Sequence, residues 1–204
     1  MSNIICDTLE AGHFYHIYNR GVNSCSVFIE EENYLFFLSR FKKYLSDFIE
    51  VYAYCLMPNH FHFLIRVKNL NPDSFVKVKN FDKALQENGL HSNDSLVSKQ
   101  FARFFSSYTQ AFNKVQNRHG ALFESPFKRK RIENDEYLRN LILYIHRNPI
   151  DLNQNFETYK FSSYKAIISD LRTDIKKQLV IERFDNLDNF FYLHKNPPKL
   201  NFNF

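Results

Sequence analysis

The chain has 204 residues, 44% of them hydrophobic, with 23 Phe, 12 Tyr and no Trp, enough apolar material for a sizeable core in one domain or two small ones. Only 4 Gly and 6 Pro exclude a repeat array or a low-complexity chain. The formal net charge of +5 favours a polyanionic partner, although a solvated basic surface gives the same figure.

The chain opens Met1-Ser2-Asn3-Ile4, without the basic start and apolar run of a signal peptide. No stretch approaches the roughly 18 consecutive apolar residues of a membrane span. His13 to Arg20 is alternating and rich in aromatic and β-branched residues, which predicts a first strand ended by Gly21. Tyr34, Phe37, Leu38, Phe41, Leu45 and Phe48 recur at helical spacing and predict a helix from Asn33 to Phe48. Val51 to Met57 predicts a second strand, Pro58-Asn59 a break, and His60 to Val67 a third strand. So tight a connection makes the two strands antiparallel neighbours. Cys55 falls in this apolar segment as a buried thiol. With Cys6 and Cys25 it makes an odd count without paired spacing, which suits a reducing cytoplasm.

Residues 69–95 are dominated by Asn, Asp, Lys and Ser with little periodicity, the pattern of a long loop or mobile insertion. Helix resumes near Leu96, with Val97, Phe101, Phe104, Tyr108, Ala111 and Val115 as its apolar stripe and Gly120 as its stop. Phe127 to Ile132 predicts a fourth, strongly basic strand. Asn134-Asp135-Glu136 supplies an N-cap and an acidic first turn to a helix that runs to Asn148, where Pro149 stops it. Leu138, Leu141, Ile142 and Ile145 form its buried face; Tyr137, Asn140, Tyr144, Arg147 and Asn148 form a polar one. The tail from Asp151 carries two more helices. The β-α-β-β-α-β order predicts an α+β, ferredoxin-like split βαβ sandwich. Its antiparallel sheet has helices on one face, and the other face is left free. A first domain spans residues 1–150 and a C-terminal helical extension spans 151–204.

Three constellations carry chemistry. Residues two apart on a strand share a face, roughly 6.5 Å apart. His60 and His62 therefore project together, while Phe61, Phe63 and Ile65 anchor the opposite face. Such a pair is more often structural, but two imidazoles on one accessible face are also good ligands for a divalent metal. Tyr144 and Asn148 lie four apart on a helix and share a face. Tyr144 reads either as a half-buried packing residue or as a nucleophile. A phenol with a pKa near 10 is only about 0.3% ionised at neutral pH, so a nucleophilic role requires help from a metal or a base. Lys128, Arg129, Lys130 and Arg131 form the densest charge run, either a solvated edge strand or a set of backbone-phosphate contacts. Arg20, Lys114 and Arg118 are candidates to extend that patch.

Tyr15-His16-Ile17-Tyr18-Asn19-Arg20-Gly21, and then Ala53-Tyr54-Cys55-Leu56-Met57-Pro58-Asn59-His60-Phe61-His62, resemble the single-tyrosine HUH transposases, the insertion-sequence transposases and their REP-associated relatives. The segment from Asn113 to Lys128 is similar to that family's helix-to-strand passage, and Tyr144-Ile145-His146-Arg147-Asn148-Pro149-Ile150 to its nucleophile helix. The resemblance covers residues 13–165. It implies that His60 and His62 bind Mg²⁺ or Mn²⁺, with Asn148 as third ligand, and that Tyr144 is the nucleophile. It also implies a homodimer acting on single-stranded DNA with hairpin ends, through a covalent 5′-phosphotyrosine. Two departures stand out: the 69–95 insertion is long, and Phe161 stands where the family often has Trp. The competing expectation is a non-catalytic single-stranded nucleic-acid-binding module on the same fold.

Overall fold

The computed structural model describes residues 6–69, 93–199 and 202. Strands β1 (Phe14–Arg20), β2 (Ile49–Met57), β3 (His60–Val67) and β4 (Lys128–Ile132) form one sheet in the order β2-β3-β1-β4. Each neighbouring pair is antiparallel. Helix α1 (Glu31–Leu45) follows β1 and α2 (Asn93–Val115) follows β3, which completes the ferredoxin-like pattern. Beyond β4 come α3 (Asp135–Arg147), a 3₁₀ turn over Asn148–Leu152, and three short helices, α4 (Tyr164–Ile168), α5 (Lys177–Glu182) and α6 (Leu187–Lys195). The sequence predicts two tail helices; α4 and α5 have only 5 and 6 residues, too few to show a helical period.

Strand alternation divides the core into two layers. Tyr15, Ile17, Phe61, Phe63 and Ile65 point toward α1 and α2, where they meet Phe37, Phe41, Phe101 and Phe104. Phe37 is fully buried, and the rings of Phe61, Phe104 and Tyr108 lie 4.8–5.2 Å from its own. Ala53, Cys55, Met57 and Leu64 point the other way, into a layer with Leu138, Leu141, Ile142 and Ile145 of α3 and with Tyr164, Phe184 and Phe190 of the tail. The two helices of the βαββαβ core thus lie on one face, as predicted. The opposite face, expected to be free, is covered. The reason lies in α3, which is apolar on two sides: Leu143 and His146 are buried along with the predicted stripe, because tail helices pack on the side away from the sheet.

Caps account for most boundary differences. Glu30 and Asn33 form a capping box that starts α1 two residues before the predicted position. Asn134 caps α3 as predicted, accepting a hydrogen bond from the Tyr137 backbone N–H. In α2 the buried stripe ends at Phe112, whereas Val115, expected in it, is 70% exposed. Asn117, at φ 48°, turns the chain before Gly120 does. Most of the insertion predicted over 69–95 falls on residues 70–92, outside the described residues. Phe161 stacks on Tyr34 with ring centroids 3.8 Å apart and serves as a packing ring. Among the described residues no helix is long and apolar enough to cross a membrane, and all three cysteines are free thiols.

Candidate functional site

The register of β1 on β3 sets Arg20 opposite His60 and Tyr18 opposite His62. Directly opposed residues share a sheet face, so these four side chains gather at one end of the sheet. Helix α3 crosses that face and brings Tyr144 edge-on to His62, with ring centroids 5.4 Å apart. The His60 and His62 rings are 5.2 Å apart. Together with Asn19 and Lys128, these residues line a cavity of about 180 Å³. A larger cavity of about 470 Å³ lies between α1, β2 and residues 173–176 and contains none of these groups. The chemistry is in the smaller one.

Hydrogen bonds fix how the His60 donor faces. His60 Nδ1 lies 2.7 Å from Asn59 Oδ1, and an amide oxygen only accepts, so the ring proton sits on Nδ1. That leaves a lone pair on Nε2, which lies 3.5 Å from Asn148 Oδ1. The amide nitrogen of Asn148 is already used, donating to the Tyr144 carbonyl at 2.9 Å. Two acceptors therefore face each other, an arrangement that a cation satisfies and a hydrogen bond does not. Among the described residues no cluster of three or more His, Cys, Asp or Glu could hold a metal ion, so a donor set here depends on the amide oxygen of Asn148. Imidazole nitrogen with amide oxygen suits a divalent ion of borderline or hard character.

Burial governs the electrostatics. His60 is held below the ordinary histidine range chiefly by burial, with the nearby Asn148 amide pulling the other way. His62 is held well below it by burial and by the neighbouring His16 and His60. Both rings are neutral at physiological pH, the form that ligates metals. Burial also raises the Tyr144 phenol, opposed by hydrogen bonding to Asn148. This tyrosine is a poorer nucleophile than a solvated one unless positive charge is brought to it.

His16 is a site residue that sequence spacing does not single out. It is fully buried, with its Nε2 2.9 Å from His62 Nδ1 and its ring stacked 5.0 Å from that of His62. Burial, assisted by Lys130, lowers its pKa to about 3. Strand parity is the signal that could have found it: His16 alternates with Tyr18, and the ferredoxin-like order sets β1 beside β3.

The basic strand splits by side. Lys128 lines the cavity, with its Nζ 3.4 Å from Glu124 and 5.8 Å from the Tyr18 ring. Lys130 lies 4.9 Å from the Tyr137 ring. Arg129 and Arg131 alternate to the other face. There Arg129 donates to the Asp7 carbonyl and Arg131 pairs with Glu10 at 2.7 Å. Arg118 fastens the loop after α2 through Asn113 and Ala121, and Lys114 is exposed; neither lines the cavity. Tyr137, the other tyrosine on the polar side of α3, packs against Lys130 and Phe202 and does not line the cavity either. Phe202 also reaches Tyr144, with ring centroids 5.0 Å apart.

Fold and site define a ferredoxin-like α+β protein with two histidines, an asparagine and a tyrosine gathered on one sheet face. Among solved structures the chain is similar to a REP-associated tyrosine transposase bound to a REP hairpin, with a TM-score of 0.55 and 14% identity over 85% of this chain and 90% of that one. At that identity the likeness shows a shared fold. No protein-family model matches the chain, and no curated protein does.

Proposed function

We propose that the chain is a single-tyrosine HUH transposase, a metal-dependent single-stranded DNA endonuclease and strand transferase acting in DNA transposition. One observation carries the reading: His60 Nε2 and Asn148 Oδ1, both acceptors, face each other 3.5 Å apart beside the cavity that His60, His62 and Tyr144 line. The fold it shares with a tyrosine transposase supports the same reading. His60, His62 and Asn148 would hold Mg²⁺ or Mn²⁺, and such an ion supplies positive charge that polarises a phosphate oxygen. The chain's own groups do the rest. Arg20 and Lys128 flank the cavity and bind phosphates of the entering strand. Tyr144 Oη attacks phosphorus, and the bond to the 3′ oxygen breaks. A 5′-phosphotyrosine remains, and the phenol proton is balanced by the one gained on the departing 3′-hydroxyl. One phosphodiester replaces another, so attack by a different 3′-hydroxyl joins strands without ATP. Residues 1–150 carry this chemistry and 151–204 brace α3. The working form is a cytoplasmic homodimer on single strands with hairpin ends, and light scattering of the protein alone tests its mass.

The deciding experiment incubates single-stranded oligonucleotides from the flanks of the gene with the protein and Mn²⁺, and resolves the products on a denaturing gel. A protein-linked strand is expected. Tyr144→Phe keeps DNA binding and loses the adduct, and Tyr137→Phe keeps both. The double variant His60→Ala, His62→Ala loses metal-dependent cleavage while its circular dichroism stays that of the wild type. Peptide mapping of the adduct to any tyrosine but Tyr144 refutes the assignment. Strand binding with no cleavage by the wild type identifies a non-catalytic binding module instead.

A further inference from the structure

We infer that His16 is a positioning residue: it accepts the Nδ1 proton of His62 and so presents the His62 Nε2 lone pair to the cavity. The inference rests on His60, His62 and Asn148 being metal donors. A neutral imidazole has one N–H and one lone pair, so the partner of one nitrogen decides what the other offers. For His60 that partner is Asn59 Oδ1, at 2.7 Å. For His62 it is His16 Nε2, at 2.9 Å. Two imidazoles can share a proton in either sense. Keeping the His62 lone pair for the cavity puts the shared proton on His62 Nδ1 and the His16 proton on its own buried Nδ1, and each strand histidine is then held by the same device, through Nδ1. The devices differ in what could replace them. Asn59 and His60 are only partly buried, so water can stand in for the asparagine. His16 is fully buried and His62 is 5% exposed, so only a protein group can accept that proton. The partner of a ligating histidine is commonly a carboxylate, a backbone carbonyl or water. A neutral imidazole in that place adds no negative charge, so none of a bound cation's charge is offset before it reaches a phosphate.

The test uses the full-length protein and two variants. His16→Gln keeps an acceptor within reach of His62. His16→Phe keeps an aromatic ring against Tyr18 and His62 and removes the acceptor. Nitrogen-15 spectra of the metal-free wild type should show the His62 proton on Nδ1. Mn²⁺ titration followed by electron paramagnetic resonance should give His16→Gln an affinity within about threefold of wild type, and His16→Phe a loss of about 10- to 100-fold. A proton on His62 Nε2 in the wild type overturns the inference. So does a folded His16→Phe that binds Mn²⁺ as the wild type does, or a His16→Gln that behaves like His16→Phe. Should His16→Phe fail to fold, the wild-type tautomer and His16→Gln still decide. Wild-type protein that binds Mn²⁺ no better than His60→Ala, His62→Ala sinks the metal reading instead, and the tautomer measured without metal separates the two failures.

Discussion

A Cβ added at Gly21 would sit 2.1 Å from the Cys25 carbonyl oxygen and 2.9 Å from its Sγ. Backbone cannot yield as a flexible side chain can, so the neighbourhood would have to move. Gly21 N–H also donates to the Asn59 carbonyl at 2.8 Å, which ties the end of β1 to the turn before His60. Gly21→Ala should therefore destabilise the protein by about 1–3 kcal/mol in urea unfolding and loosen the cavity beside Arg20 and His60. A variant of unchanged stability would show that this turn tolerates a side chain. At this scale the sequence exposes residues whose role follows from spacing. His60 with His62, and Tyr144 with Asn148, are set by strand and helix periods, and the structure brings all four together. His16 is legible only through the pairing of β1 with β3, because its partner is 46 residues away and its own neighbours in sequence give no sign of what it faces.

The strand β4 illustrates what composition conceals about an element. Four consecutive cations suggest a uniform phosphate track, yet alternation divides them. Arg129 and Arg131 are engaged by the Asp7 carbonyl and by Glu10 and Glu133 on one side, whereas Lys128, near Glu124, and Lys130 share the side of the sheet that carries the cavity. Neutralising Lys128 and Lys130 should lower the log–log salt slope of single-strand binding by about 0.7 for each phosphate that the protein then leaves unneutralised. Neutralising Arg129 and Arg131 should leave the slope nearer to wild type. Equal slope changes from the two pairs would restore the uniform track. Strands β1 to β4 and helix α3 are legible because alternation and an N-cap are local signals. The end of the α2 stripe is not, since Val115 and Phe112 both fit a helical face and only burial in the folded core selects Phe112. The covered second sheet face is hidden too, because the spacing of α3 shows an apolar stripe and not that the stripe lies on the sheet.

The molecule as a whole stores a run of buried neutral histidines. His194 Nδ1 donates to the Phe190 carbonyl at 2.7 Å. Its Nε2 then accepts from His146 Nδ1 at 2.8 Å, and His146 Nε2 accepts from the Ser163 hydroxyl at 2.9 Å. An added proton would find no acceptor in this chain of bonds. Burial lowers His194 to about 4 and holds His146 well below its ordinary range. Unfolded histidines titrate near 6.5, so on acidification the unfolded chain takes up protons first. The contribution to stability is full above about pH 6.5 and is lost as pH falls from there toward the folded values, by up to about 1.4 kcal/mol per pH unit for each ring. Urea midpoints should drop between pH 7.5 and 5.5, a window in which ordinary carboxylates stay ionised; equal midpoints would mean the rings are not held neutral. Strand β3 has a consequence of another kind. Its odd-numbered rings build one core layer, and its even-numbered histidines build the site. A slip of one residue would turn Phe61 and Phe63 toward the cavity and push two imidazoles into a greasy interior. The same error that spoils the chemistry spoils the packing, so a mis-threaded copy would be unstable and open to proteolysis. The site carries its own proofreading: a well-folded molecule with these two histidines on the wrong side should not accumulate.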